Sequence, residues 1–291
     1  MDNDIKRIGI VANCSKPDAA SVLHQLSDKC NRLGLTLVTC DETHTLLPHS
    51  TRVPPEDLGH HIDFLMAFGG DGTMLHAVRT LGESTIPILG VNLGSLGFMT
   101  SVTEADLDRA VDVLLEGSYT LSSRTLAACT VTPASGDSHS YTALNDLVIG
   151  WGSTTRVVTL KVDIDDAYVT SYVCDGLIVS TPTGSTGHNL SAGGPILHPE
   201  TPAFVLNIIC PHTLSTRPLI VPDASTVHVL VEHADKELLL SVDGQDKARV
   251  NQGDRLEIKR HRQAVRFIHL PGYDYFSVLR KKLRWSGSSI S

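Results

Sequence analysis

The apolar pattern of the chain changes character near residue 119, and that change limits the folds open to it. Before it, strand-like and helix-like segments alternate. Ile5 to Ala12 reads as a first strand. Pro17 to Leu33 reads as an amphipathic helix with Ala20, Leu23, Leu26, Cys30 and Leu33 on one face, stopped by Gly34. Leu35 to Cys40, Ile62 to Phe68 and Ile86 to Val91 read as further strands. Thr103 opens a helix with Glu104 and Asp106 in its first turns and Gly117 just past its end. Such alternation implies a doubly wound α/β domain around a parallel sheet. After it come short, often β-branched runs at 126–132, 144–150, 157–164, 176–181, 204–210, 227–232, 238–242 and 264–270, with no long helix among them. These predict a β-rich C-terminal domain. Tyr275, Phe276, Leu279 and Leu283 then recur at helical spacing, with Arg280, Lys281, Lys282 and Arg284 on the other faces. The expected organisation is an α/β domain over residues 1–120, a β-rich domain over 121–272, and a C-terminal helix within 273–291 that rejoins the first domain. Residues 41–61, with three prolines and four histidines (44, 49, 60, 61) but no periodicity, read as a long loop whose histidines lack metal-ligand spacing.

The net charge of −8 argues against a protein that tracks a nucleic-acid backbone, because such binding releases counterions from a basic surface. The sum conceals a division: residues 247–291 hold 11 basic and 3 acidic side chains, so the remainder is strongly acidic. No apolar run approaches the roughly 18 residues of a membrane span, and the acidic start Met1-Asp2-Asn3-Asp4 is unlike a secretory signal. The expectation is a cytoplasmic protein with no membrane or nucleic-acid partner. Its six cysteines, without a Cys-x-x-Cys pair, are expected to be reduced thiols.

Two stretches have the composition of a ligand site. The third predicted strand runs straight into Gly69-Gly70-Asp71-Gly72-Thr73 and a helix. Glycines let a ligand approach the backbone, whose amides at a helix N-terminus favour anions. A carboxylate among them repels phosphate. Asp71 therefore points to a group that takes a proton from an attacking hydroxyl or holds a metal ion beside the phosphate; the plainer alternative is a cap on the following helix. The second stretch is Asp175 to Pro195, in which nearly every side chain from 183 to 191 is small or hydrogen-bonding, as suits a backbone-lined site. Asn145-Asp146 and Asp243-Gly244-Gln245 stand at strand ends, the latter reading as an ordinary hairpin turn.

Phe68 to Thr73, Asn92-Leu93-Gly94-Ser95-Leu96-Gly97-Phe98, Asn145-Asp146, Asp175 to Pro195, Pro211 to Leu219, Val242 to Gln245 and Asp274 to Trp285 together resemble the bacterial NAD kinases, in order and over nearly the whole chain. Lipid kinases and phosphofructokinases carry similar glycine turns; the long Thr183 to Pro195 stretch is the specific part. The resemblance implies transfer of the γ-phosphoryl group of ATP, or of polyphosphate, to the 2′-hydroxyl of the adenosine ribose of NAD. It also implies magnesium or another divalent cation with ATP, a cleft between the domains, and a homodimer or homotetramer in which a neighbouring subunit completes the NAD site. Carried over by position, Asp71 is the proton acceptor, and Gly70, Gly72 and Thr73 present donors to phosphates. Asn145 and Asp146 hold ribose and adenine edges, and Phe98 packs on adenine. Thr186, Gly187, His188, Asn189, Leu190 and Ser191 line the dinucleotide. His76, Arg156, Asp175 and Gln245 fall at further ligand contacts. No protein side-chain set for a metal is assigned.

The chain departs from the resemblance in two places. The family usually has Asn-Glu where Asn145-Asp146 stands, which shortens the acid by a methylene. It usually has Ala-Tyr-Ser where Gly187-His188-Asn189 stands, which replaces a stacking phenol by an imidazole and lowers an aromatic contribution of about 0.5–1.5 kcal/mol.

Overall fold

A computed structural model of the chain describes residues 5–94, 97–151 and 157–285. Arg156, Ser95 and Leu96 of the 92–98 motif, the first four residues and the 286–291 tail lie outside the described residues. The chain divides into two compact units, residues 1–123 with 265–291, and residues 124–264.

The first unit begins β1 (Arg7–Ala12), α1 (Ala19–Arg32), β2 (Thr36–Thr39), α2 (Asp41–Leu46) and β3 (Thr51–Arg52). It continues with β4 (Phe64–Gly69), α3 (Asp71–Leu81), β5 (Ile88–Asn92), β6 (Val102–Thr103) and α4 (Leu107–Glu116). These strands pair in parallel: β3 with β2, β2 with β1, β1 with β4, β4 with β5, and β5 with β6. The chain thus moves outward from β1 to β2 and β3, then returns to lay β4 on the other side of β1. β4 and β5 are buried at every position, which is why they read as unbroken apolar runs rather than alternating ones. In α1 the buried face is Ala19, Val22, Leu23, Leu26 and Cys30, while Leu33 is 46% exposed at the C-cap. The expected stripe is therefore shifted at both ends. Residues 41–61 are not a featureless loop: they form α2, β3 and a 3-10 turn over Pro55–His60. His44 tethers them, its Nδ1 3.2 Å from Thr39 Oγ1 and 3.3 Å from Ser50 Oγ. Elements of two to six residues span less than two helical turns and leave no periodic signal.

The chain then runs through β7 (Thr120–Thr132), β8 (His139–Ala143), β9 (Asp146–Trp151), β10 (Val158–Ile164), β11 (Ala167–Cys174) and β12 (Gly176–Ser180). After α5 (His188–Ser191) come β13 (Ala203–Ile209), β14 (Leu219–Pro222), β15 (Val227–His233), β16 (Leu238–Val242), β17 (Asp246–Val250) and β18 (Arg255–His269). One sheet of the second unit has the order β14-β13-β12-β9-β16-β17, antiparallel throughout. Strands β11, β10, β15 and β18 form a second antiparallel array, with the β7–β8 hairpin against β18. Alternate residues such as Val158, Leu160 and Val162, or Val227, Val229 and Val231, share one core with Leu147, Ile149, Leu177, Val179, Leu238 and Leu240. Period-two burial from two faces makes a sandwich.

β18 ends in the first unit, where Phe267 pairs with Ile88 of β5, and α6 (Tyr275–Leu283) follows. The return to the first unit thus starts at Val265 inside a strand, earlier than residue 273. Asp274 caps α6, its carboxylate accepting from the amides of Phe276 and Ser277. Val278 and Leu279 are the buried residues of α6, and Phe276, expected on the apolar stripe, is 57% exposed. No helix among the described residues is long and apolar enough to cross a membrane.

Candidate active site

In the first unit Asp71 is the first residue of α3, directly after Gly70. Its carboxylate does not cap the helix, so the plainer alternative for this residue fails. Instead Oδ2 accepts from the amide of Phe98 at 3.0 Å and Oδ1 from that of Met99 at 2.9 Å. Gly97 is what makes this approach possible, because a Cβ there would collide with Asp71 Oδ1. Gly97 of the 92–98 motif therefore seats the carboxylate of the 69–73 motif. Each oxygen keeps a free lone pair. Phe98 is half-buried, and the Lys282 ammonium of α6 lies 5.6 Å from its ring centroid, a cation–π contact worth about 0.5–1 kcal/mol. Thr73 is buried; His76 and Gly72 are exposed.

In the second unit the site is made by sheet register. β9 is flanked by β12 and β16, both antiparallel to it, so the ends of those strands meet its start: Ser180 pairs with Asp146, and Val242 with Leu147. The ladders continue as Thr181 N donating to Asn145 O and Asp243 N donating to Asp146 O, both at 2.9 Å. Asn145-Asp146, the 181–187 loop and the 243–245 turn thereby converge. The residue that organises them is Asp243, which sequence reasoning left as a hairpin turn. The turn is real, with Asp243 at φ 54° and Gly244 at φ 68°. Yet the Asp243 carboxylate also accepts from the amides of Leu144, Asn145 and Asp146 at 2.9, 2.7 and 3.1 Å. The available signal was an aspartate, rather than asparagine, at a left-handed position.

Asp146 is 4% exposed, and its pKa is pushed up to about 7, first by burial and then by the negative charge of Asp243. An unfolded aspartate titrates near pH 3.9, so between those values only the folded chain holds the proton. The resulting stability is fully present below about pH 4 and is lost progressively as pH rises from there through about 7, to a total on the order of 4 kcal/mol. Asp146→Asn is expected to unfold at higher urea than its parent at pH 8, with the gain shrinking toward pH 4. An equal gain at both pH values would show that this carboxyl is not held protonated by the fold.

The loop from Thr181 to Pro195 is tied down by its own side chains. Thr181 Oγ1 donates to Leu144 O and receives the amide of Gly184, and Ser185 Oγ receives the amide of Leu197. Only glycine fits at 184, where a Cβ would strike the Asn145 carbonyl. Asn189 is wholly buried: its amide donates to Ser185 O and Pro195 O and receives Asn207 Nδ2. Its side chain is a strut of the loop and does not face a ligand, unlike the expectation from position. Gly187 and His188 are exposed, and Thr186, Leu190 and Ser191 range from half-buried to exposed. Gly187 lies over the site, since a Cβ there would stand 4.0 Å from both Asn145 Nδ2 and Asp146 Oδ2. Asn145 Oδ1 and Thr183 Oγ1 are buried without a hydrogen-bond partner. A polar group of a ligand could complete both.

Gln245 is exposed in the same turn. Asp175 is placed elsewhere, at the start of β12 where Gly176 pairs with Gly150, the far end of the strand from Ser180. There the Cys210 thiol donates to the Asp175 carboxylate, which raises the thiol's pKa.

Comparison with known proteins bears on the family and the fold. The sequence pattern of the ATP-NAD kinase N-terminal domain matches residues 8–119, and that of the ATP-NAD kinase C-terminal domain matches residues 144–270. The chain is 38% identical over 284 residues to the NAD kinase of Syntrophotalea carbinolica, covering 97% of this chain and 99% of that one. It is 39% identical over 288 residues to the NAD kinase of Moorella thermoacetica, covering 98% and 91%. Among solved structures, a yeast NADH kinase complexed with NADH superimposes with a TM-score of 0.91 at 24% identity over 98% of this chain and 89% of that one. An NAD kinase from Archaeoglobus fulgidus in complex with ATP gives 0.76 at 23%, over 97% and 100%. At these identities the structural likeness shows the fold.

Proposed function

The chain belongs to the ATP-NAD kinase family, and from that premise we propose how its residues carry out phosphorylation of NAD to NADP. The 2′-oxygen of the adenosine ribose forms the new bond to the γ-phosphorus of ATP as the bond to the β,γ-bridging oxygen breaks and ADP leaves. A secondary alcohol is a weak acid, so its proton moves late, and positioning with charge neutralisation supplies most of the acceleration. Asp71 takes that proton. The observation that carries this role is its carboxylate, held by two backbone amides with one lone pair left on each oxygen, at the head of a glycine turn. Amides of Gly70, Gly72 and Thr73 present donors to the phosphates.

The second unit grips the dinucleotide. Asn145 Oδ1 and Thr183 Oγ1 supply polar contacts that the protein leaves open. Asp146, its pKa pushed up to about 7, can donate as well as accept when it carries the proton. Gly187 leaves the backbone edge accessible where the family ordinarily has a methyl group. Phe98 gives an apolar face for adenine.

A divalent cation arrives on the ATP phosphates, where it neutralises charge; magnesium usually adds only one or two protein oxygens to its phosphates and waters. The residues present fit that demand. Thr73 and Asn92 are buried beside the glycine turn, and neither the Thr73 hydroxyl nor Asn92 Oδ1 has a hydrogen-bond partner among the described residues. These two oxygens would hold the hydrated ion. A cytoplasmic homodimer or homotetramer is the form proposed, a second copy completing the dinucleotide contacts around Asp175.

The purified protein with NAD and Mg-ATP is expected to generate NADP, read by an NADP-specific dehydrogenase, with NADH and polyphosphate run in parallel. No phosphorylated dinucleotide with any acceptor, donor or metal would overturn the assignment.

A further inference from the structure

The last helix of the chain reaches the segment that holds the base. In α6, Val278 and Leu279 are the buried residues, and Lys282 stands four and three positions beyond them, on the same face one turn later. Lys282 is exposed, yet its ammonium lies 5.6 Å from the centroid of the Phe98 ring. Arg280, in the same turn, is committed to its own helix, with Nη2 3.4 Å from Asp274 Oδ2 and 2.7 Å from Ser277 Oγ. Lys282 makes no ion pair among the described residues, and the ring is the contact it keeps.

Phe98 contributes more than its ring. Its amide and that of Met99 hold the two oxygens of Asp71. One short segment therefore carries both the seat of the base and an aromatic face beside it. Two glycines lead into that segment: Gly94, at φ 121°, and Gly97, whose amide donates to the Thr100 hydroxyl at 3.0 Å. Glycine loses more freedom on being fixed than any other residue, so a segment entered through two of them gains from a tether outside itself. The ammonium over the ring supplies that tether from the far end of the chain.

We infer that Lys282 is a positioning residue for phosphoryl transfer: carried by α6 and held over the Phe98 ring, its ammonium fixes the 97–99 segment, and with it the Asp71 carboxylate and the aromatic face that meets adenine. The inference rests on the phosphotransferase reading above. Lys282 acts through Phe98 and touches neither reactant. A cation on one face of the ring leaves the other face for a base, and by drawing π density toward itself it lessens the repulsion between stacked π faces.

A set of variants tests this. Lys282→Met keeps an unbranched side chain and removes its charge; kcat/KM for NAD is expected to fall about two- to fivefold, with KM for ATP within about twofold. Lys282→Arg, which still offers the ring a cation, is expected to restore the parent value. Lys281→Met makes the same charge change one residue earlier and is expected to leave kcat/KM within about twofold. In a Phe98→Leu background Lys282→Met is expected to cost nothing further, because the ring it acts through is gone. Parent-like kcat/KM in Lys282→Met, no restoration by arginine, or an equal loss in Lys281→Met would overturn the role. So would the same loss with and without the ring, which is the mark of an ammonium acting on the dinucleotide phosphates directly. Calorimetry with NAD repeats the cycle without turnover. A chain that forms no NADP but loses NAD affinity in this ring-dependent way would refute the reaction and keep the action of Lys282 through Phe98; a chain that binds no NAD would overturn both.

Discussion

Asp71→Asn is expected to bind NAD as the parent does and to lose roughly 10²–10⁴ in turnover. The geometry adds a second expectation that separates this variant from a simple loss of a base. In the parent, both carboxylate oxygens receive backbone amides, from Phe98 and Met99. An asparagine keeps one acceptor and sets an NH₂ group against the other amide, two donors facing each other. One amide loses its partner, at about 1–3 kcal/mol. Urea unfolding should register that loss, while calorimetry with NAD registers none. Glutamate is no conservative control here, since Gly97 presses on the carboxylate and leaves no room for a methylene. Turnover within about threefold of the parent would remove Asp71 from the proton-transfer step whatever the stability data show.

What could be read in the sequence depended on how far each residue's role is local. β4 and β5 announce themselves because helices cover both faces of the sheet, leaving every position apolar. The paired cores of β10, β15 and β16 do so because burial alternates. Strands β11, β14 and β17 went unseen because they are edges: β17 is Asp-Lys-Ala-Arg-Val, the charged composition that keeps an edge from pairing further. α6 was legible as a helix, yet Phe276 was assigned to its buried face. Spacing gives a face but not the side on which neighbours lie, and the described packing takes Val278 and Leu279. In the site, the glycine turn and Asp71 were visible, whereas the two amides that hold the carboxylate come from residues 27 and 28 positions away. Asn189 was grouped with its exposed neighbours because all are small and polar; only the fold shows that its amide is spent inside the loop. Asp243 is the largest omission. Its turn is local and was read, but its three acceptor contacts reach back about a hundred residues, beyond any motif window.

That omission yields the other large expected effect. Asp243→Ala removes the acceptor for three consecutive amides, those of Leu144, Asn145 and Asp146, in a part of the second unit where Leu144 and Asp146 are buried. At about 1–3 kcal/mol for each orphaned donor the loss should reach about 3–5 kcal/mol, with relaxation of the 143–146 backbone absorbing some of it. Asp243→Asn is the informative companion. Asparagine tolerates the left-handed φ of 54°, and its Oδ1 can still receive the amides of Asn145 and Asp146, which share one oxygen in the parent. Only the Leu144 amide is abandoned, so the loss should be about 1–3 kcal/mol. The asparagine variant also removes the charge that is the second cause of the raised Asp146 pKa. Its stability should therefore fall less steeply between pH 5 and 8 than that of the parent, while burial alone keeps part of the slope. Both variants should raise KM for NAD, because Asn145 and Asp146 hang from the backbone that Asp243 holds. If Asp243 acted only by touching the dinucleotide, KM would rise with urea stability unchanged in both variants; a graded loss, alanine beyond asparagine, requires the positioning role.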